Sequence, residues 1–572
     1  MLESDTGRVL IPRRLLVTFA VLLLGIVLID PMLHDILSNL LAKRAAERWL
    51  LLSIHAALIT FSFAAVVMVL IARSRILKSI MLTLLCVSGC VVVSYKRVTG
   101  AMFGTIELKT LQGNLDLAAS AISSFSSAAL PSLLLFLTGL AIVGLVSFRS
   151  HYLPALHALG PLILAVAFNT AVFYRSVWKT NTFPAFFSFL NVAVYELSDD
   201  TYTGPRSQPA LTAEAPLVRH IILVVDESIR SDYLSINGYP KPTTPFLEAS
   251  SPKYLNYSPA MAGSGCSSYS HLILRSGLRQ LDLPDTGYQG MRSPDLFRYA
   301  KKAGLRTLYL DGQIWSRRLT NMLTVHDEAY IDFFYQHTNL QLGEGDELKR
   351  NLALLEEYRG KYDLLLAIQL AEALKQSESS FAYVIKRGLH FHYEDSYPSQ
   401  APKTFAPTLE TNEPYGDKNR TRNSYRNGLR WSVDGFFAEL LPRIDELNYL
   451  LIYTSDHGQN LMDNGLLVTH CTPTEVNEPQ VLVPLLVFAS DLDLRARFVN
   501  VFERRRARST HFELFPTLLI AMGYPQVQVQ AEYGPSLFAD DLNPSRFYTG
   551  DVFGRDRRGQ WLEIRMDTRA SN

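Results

Sequence analysis

A chain of 572 residues exceeds what one compact core holds, and a prior of roughly 150 residues per domain allows three or four units. Charged residues make up 19% of it, against a usual value of about 25%. With 48% hydrophobic and 11% aromatic residues, a disordered or fibrous protein is excluded. Fifty-five basic residues against 54 acidic ones give no electrostatic case for nucleic acid, and four cysteines exclude a disulfide scaffold.

The apolar excess is concentrated at the start. Five runs, Leu15 to Ile29, Trp49 to Ala72, Ile76 to Ser94, Ala128 to Ser147 and Leu153 to Tyr174, are read as spans of a hydrocarbon core about 30 Å thick, which takes roughly 20 helical residues. No small-residue cleavage site follows the first, so it is read as an uncleaved anchor. Five spans leave the chain ends on opposite sides. Arg8, Arg13, Arg14, Arg73, Arg75, Lys78 and Arg149 flank the spans on one side, and Lys43, Arg44, Arg48, Lys96, Arg97 and Lys109 on the other. Seven against six favours a cytoplasmic N-terminus and an external C-terminal domain. Cys86 and Cys90, inside the third run, are read as packing residues. The aromatic stretch Trp178 to Tyr195 predicts an interfacial helix, and Ser198 to Pro216 a linker. The expected organisation is a membrane domain over 1–175, an interfacial helix and linker over 176–217, and a soluble domain over 218–572.

The remainder alternates strands with helices. His220 to Val225, Arg306 to Leu310, Ser380 to Ile385, Tyr449 to Tyr453 and Val481 to Phe488 are strand-like. Ser293 to Ala303, Leu348 to Leu374, Arg430 to Leu447 and His511 to Met522 are helical, the first with Ser293 as N-cap, Pro294 at its first position and Gly304 closing it. Such alternation implies an α/β fold with a mainly parallel sheet, whose ligands bind beyond the carboxyl ends of the strands.

Polar clusters stand at those ends. Glu227 follows one strand and Asp456 and His457 another, and together they offer oxygen and imidazole ligands suited to Zn²⁺ or Mn²⁺. The small-residue loop Gly263 to His271 lets backbone N–H groups approach an anion and places hydroxyls at the start of a helix. His390, His392 and His470 sit in further loops, where imidazole serves metal binding or proton transfer.

The set resembles the membrane-bound phosphoethanolamine transferases, a branch of the alkaline-phosphatase/sulfatase superfamily, over essentially the whole chain. Val224 to Arg230, with Asn237 to Tyr239 and Thr243 to Pro245, is similar to the family's first metal motif, with Glu227 in the ligand position. Thr454 to Gly458 is similar to the second and implicates Asp456 and His457. His470 and His390 match active-site histidines, the latter in the loop before Tyr397-Pro398, and His511 to Leu519 resembles a structural segment. The nucleophile loop aligns Ser267 with the family's catalytic Thr, with Ser268 and Cys266 as neighbouring alternatives. The sulfatase pattern of Pro two positions and Arg four positions after the nucleophile is missing, since Ser268 and Ser270 follow Cys266 there.

The resemblance implies an α/β/α alkaline-phosphatase-like domain behind five membrane helices, with the catalytic domain in the periplasm of a bacterial inner-membrane protein. It implies a divalent metal, Zn²⁺ first with Mn²⁺ or Mg²⁺ as alternatives, held by Glu227, Ser267, Asp456 and His457. Ser267, His390 and His470 are then catalytic, and Lys386, His392 and Asn114 substrate-binding. The implied reaction moves phosphoethanolamine from a phospholipid, phosphatidylethanolamine, through a covalent serine ester to a glycan or glycolipid acceptor. A phosphoglycerol transferase acting on periplasmic glucans, or a sulfatase-type or phosphodiesterase-type hydrolase, is the alternative. A monomer without nucleic-acid partners is expected. The family's disulfides are few here: only Cys266 and Cys471 lie outside the membrane runs, and two free thiols are expected, with one bridge as the alternative.

Overall fold

The computed structural model describes residues 13–33, 36, 48–99, 103–104, 108, 115–175, 183–197, 201–313, 321–410, 413, 415–465, 470–471, 476–544, 546–554 and 560–564. The chain forms two compact units, Met1–Asp199 and Asp200–Arg555, the latter with Gly559–Asn572.

In the first unit all five apolar runs are helical: α1 (Arg13–Ile29), α2 (Arg48–Leu70), α3 (Arg75–Thr99), α4 (Leu115–Phe148) and α5 (Ala155–Arg175). Among the described residues, three segments, Arg75–Thr99, Ala129–Phe148 and Ala155–Val172, are long and apolar enough to cross a membrane. The 17 residues of α1 rise only about 26 Å, short of a hydrocarbon core about 30 Å thick. The aromatic stretch yields α6 (Ala185–Leu197), whose first N–H donates to Asp30 Oδ2 at 2.9 Å. Lys78, counted above as a flanking charge, is fully buried, and its ammonium donates to the carbonyls of Ser147 (2.7 Å) and Ser150 at the end of α4. There it satisfies carbonyls that have no partner within the helix.

The second unit is built on a seven-stranded sheet. Its strands are β1 (His220–Asp226), β2 (Leu255–Asn256), β4 (Arg306–Asp311), β5 (Phe333–Gln336), β6 (Ser380–Ile385), β7 (Tyr449–Ser455) and β9 (Leu485–Ala489), in the order β2-β9-β7-β1-β6-β4-β5. Strands β3 (Ala260–Met261) and β8 (Leu482–Val483) form a small antiparallel pair, as do β10 (Arg546–Thr549) and β11 (Gln560–Glu563). The five strands from β7 to β5 are parallel; at one edge β9 runs antiparallel to β7, and β2 antiparallel to β9. Every residue of β1, β6 and β7 is buried, the continuous apolar run expected of strands covered on both faces.

Several elements depart from their expected bounds for local reasons. The apolar run over 481–488 is interrupted at Pro484, which has no N–H for the ladder, so β8 and β9 join different sheets. The helix expected from Ser293 starts at Leu296, because Asp295 is the better cap and accepts the Arg298 N–H at 3.0 Å. The long pattern over 348–374 is two helices, Gly345–Glu357 and Tyr362–Lys375, broken at Gly360, whose φ is +72°.

Candidate active site

The central strands deliver the acidic ligands side by side. Asp226 pairs in register with Ser455, so Glu227 and Asp456 leave adjacent strand ends in the same direction. Ser228 then takes a left-handed conformation (φ +62°), and its N–H donates to Asp456 Oδ1 at 3.1 Å while its hydroxyl donates to Glu227 Oε1 at 2.7 Å. The chain around Gly458 passes the segment at Pro479 so closely that a Cβ would stand 2.1 Å from the Pro479 carbonyl. Only glycine fits the third position of the Asp-His-Gly motif.

Ser267 is the first residue of α7 (Ser267–Ser276), where the unpaired N–H groups carry the helix's positive end. Its Oγ lies 3.1 Å from His457 Nε2 and 3.3 Å from Glu227 Oε2. His457 Nε2 is in turn 3.5 Å from Glu227 Oε1 and 3.3 Å from Asp456 Oδ2. His470 completes the cluster: one ligand atom each from Glu227, His457 and His470 falls within 4.8 Å of the others. The His470 ring stacks on His457 with centroids 4.3 Å apart, and the His390 ring centroid stands 6.4 Å from it.

Burial sets the electrostatics. Glu227 is held well above the carboxylate range, first by desolvation and then by the neighbouring Asp456 charge. Desolvation also opposes charge on Asp456, but the imidazoles of His457 and His271 and the Ser228 N–H outweigh it and hold that carboxyl low. Burial pushes His470 well down and His390 down to about 4. Asp456 Oδ2 is buried without a hydrogen bond. Two carboxylates, an imidazole and a hydroxyl at this spacing, one carboxylate oxygen of them orphaned, fit a divalent cation.

The structure thus brings together Glu227, Ser267, Asp456, His457 and His470, with His390 alongside. Lys386 goes elsewhere. It is fully buried, with its ammonium on Asp226 and on the Ser432 carbonyl at 2.8 Å and 3.7 Å from Asp363, so its donors are spent on the fold rather than on a phosphate oxygen. His392 stacks on Tyr415 and lies 3.6 Å from Glu394, outside the cluster. Asn114 lies outside the described residues. Cys266 and Cys471 form a disulfide, with Cα atoms 4.5 Å apart, which removes Cys266 as a nucleophile and corrects the expectation of free thiols.

Two supporting residues, Gln459 and Gln313, went unread in the sequence, and a third, His511, stood there only at the start of a structural segment. Gln459 donates from Nε2 to the Tyr393 hydroxyl (2.9 Å) and accepts at Oε1 from His470 Nδ1 (2.8 Å). Gln313 reaches Glu227 Oε2 at 3.4 Å. His511 accepts the Gly263 N–H at 3.1 Å and lies 3.0 Å from Thr454 Oγ1, tying the nucleophile loop to β7. Proximity of Gln459 to the Asp-His-Gly motif was the one available signal.

The sulfatase family matches residues 219–524, more than half of the chain. The chain belongs to the sulfatase family. Among its curated relatives is the Kdo(2)-lipid A phosphoethanolamine 7''-transferase of Escherichia coli (strain K12), 24% identical over 321 residues, which cover 53% of this chain and 52% of that one. Phosphoethanolamine transferase EptA of Escherichia coli O157:H7 is 24% identical over 365 residues, covering 62% and 60%. The chain therefore matches between about half and three fifths of the length of these relatives. The integral membrane lipooligosaccharide phosphoethanolamine transferase A (EptA) from Neisseria meningitidis has the same fold: it superposes with a TM-score of 0.63 over 91% of this chain and 98% of that chain, at 18% identity. The two proteins therefore share a fold, which in this chain comprises a helical unit and an α/β unit.

Proposed function

We propose that this sulfatase-family protein transfers phosphoethanolamine from a phospholipid, phosphatidylethanolamine, to a glycan or glycolipid of the cell envelope through a covalent ester on Ser267. The observation that carries the reading is the Ser267 hydroxyl at a helix N-terminus, within 3.3 Å of both His457 and Glu227. The relatives named above are phosphoethanolamine transferases, which agrees with it. Five membrane helices, α1 to α5, with the second unit in the periplasm of an inner-membrane protein, would keep the serine beside its donor and let diacylglycerol return to the bilayer.

In the first step Ser267 Oγ forms a bond to phosphorus as the bond from phosphorus to the diacylglycerol oxygen breaks. The serine proton leaves toward one of its two hydrogen-bond partners, Glu227 Oε2 or His457 Nε2, and that same proton is passed on to the departing diacylglycerol alkoxide. In the second step an acceptor hydroxyl bonds to the phosphorus and Ser267 Oγ departs, regaining its proton. His470 and His390, kept neutral by burial, are suited to take the acceptor's proton. A cation held by Glu227, Asp456, His457 and Ser267, Zn²⁺ by the donor set, would supply charge neutralisation and a lowered hydroxyl pKa. Intact-protein mass spectrometry after incubation with phosphatidylethanolamine tests the reading. One phosphoethanolamine adduct mapping to Ser267, and none in Ser267→Ala, is expected; an unmodified wild-type protein would sink it.

A further inference from the structure

The turn that carries the first acidic ligand is built around Ser228. This residue is fully buried at φ +62°, a left-handed backbone that strains a residue bearing a side chain and suits glycine. Such a conformation persists where its surroundings fix it. Here three successive residues are tied down. The Tyr425 hydroxyl, on the helix Lys418–Gly428, donates to the Ser228 carbonyl (2.8 Å) and accepts from the Arg230 N–H (2.9 Å). Between them the Ile229 N–H donates to Ser455 Oγ at 2.8 Å. The backbone alone would favour glycine at 228, so what serine adds there is its hydroxyl.

That hydroxyl and the N–H beside it divide the carboxylate oxygens into two kinds. Ser228 Oγ donates to Glu227 Oε1 at 2.7 Å. The Ser228 N–H donates to Asp456 Oδ1 at 3.1 Å, and the His457 N–H adds a second bond to the same oxygen at 2.7 Å. The other oxygen of each acid is engaged more weakly. Glu227 Oε2 has longer contacts, 3.3 Å from Ser267 Oγ and 3.4 Å from Gln313 Nε2. Asp456 Oδ2 is buried without a hydrogen bond and lies 3.3 Å from His457 Nε2. The less engaged oxygens therefore face the nucleophile and the imidazole. An oxygen that accepts a short hydrogen bond has less electron density to offer a cation, and outer partners of this kind orient metal ligands.

We propose that Ser228 is a positioning residue that selects the ligand oxygens: it occupies Glu227 Oε1 and Asp456 Oδ1 and so leaves Glu227 Oε2 and Asp456 Oδ2 for the cation. The assignment deepens the reading above and rests on it for the cation, not for the transfer step. Ser228→Gly and Ser228→Ala, in the full-length protein in detergent, test it. Both lack the hydroxyl, but at this φ glycine is relaxed and alanine strained, so the metal-free Gly variant is expected to melt higher than the metal-free Ala variant. Zinc affinity, measured by chelator competition, is expected to fall at least about tenfold in both and by similar factors, whatever their stabilities. The visible bands of the cobalt-loaded protein are expected to shift in both, since Glu227 can then offer either oxygen. Near-UV circular dichroism reports whether each variant is folded. Wild-type zinc affinity and cobalt bands in either folded variant overturn the proposal. So does an affinity that follows stability, near wild type in the Gly variant and weakened in the Ala variant alone, or a wild-type protein that takes up neither metal. If both variants lose zinc affinity while phosphatidylethanolamine never charges wild-type Ser267, the transfer reading falls and the assignment of Ser228 stands.

Discussion

Gln459 holds His470 from behind: its carbonyl accepts the Nδ1 proton, and its amide is itself fixed on the Tyr393 hydroxyl. That contact orients the ring that stacks on His457, and loss of such outer partners typically costs about 10- to 100-fold in metal affinity or activity. Gln459→Leu is expected to lose that much in zinc affinity, measured by competition with a chromogenic chelator, and Gln459→Glu, which keeps an acceptor, to recover most of it. Asp456→Ala is expected to lose the metal outright by elemental mass spectrometry; full occupancy in that variant would refute the ligand set. The acids of the cluster were legible because a parallel sheet collects its chemistry at strand ends. Lys386 was misread for a reason no single sequence discloses: Val225 pairs with Ile385, so Asp226 and Lys386 emerge as lateral neighbours and neutralise each other. Which strands are adjacent is a property of the sheet.

Two short segments hold the site together at the level of elements. Gly458 lets the Asp-His-Gly turn pass Pro479 O, and Gly458→Ala is expected to destabilise the second unit by about 1–3 kcal/mol, since a backbone carbonyl cannot swing aside as a side chain can. A thermal midpoint within a degree of wild type would contradict this. The Cys266–Cys471 bridge joins the residue before the nucleophile to the residue after His470 and closes a separation of 205 residues. Removing both cysteines is expected to cost about 2–5 kcal/mol, read as a lower unfolding midpoint that reductant no longer changes. The pairing escaped the sequence because 205 intervening residues say nothing about Cα separation. Helix and strand types were largely legible from periodicity. Their ends were decided by single residues, Pro484 splitting one strand, Gly360 one helix and Asp295 resetting another.

Across the whole molecule, charge and burial set orientation and pH response. With Lys78 spent on the end of α4, the flanking tally of seven against six becomes six against six, so basic residues alone no longer orient the first unit. In the second unit, burial pushes His271 down to about 3 and His337 down to about 4, from 6.5 when unfolded. The unfolded chain therefore binds more protons than the folded one once the pH drops below about 6.5. Stability from these two groups is fully present above that pH and is lost as the pH falls toward their folded values. At pH 5 each costs about 2 kcal/mol, from 1.36 kcal/mol per unit over the interval below 6.5. Urea unfolding of the second unit in the full-length protein, followed by near-UV circular dichroism, is expected to show a lower midpoint at pH 5 than at pH 7. His271→Gln keeps a polar group toward the Tyr383 hydroxyl, 2.7 Å from Nδ1 in the wild type, but cannot titrate. It is expected to remove about half of the pH-dependent loss arising from this pair. An equally steep acid dependence in that variant would show that the imidazole at 271 is already protonated in the folded protein, or that other groups dominate its acid response.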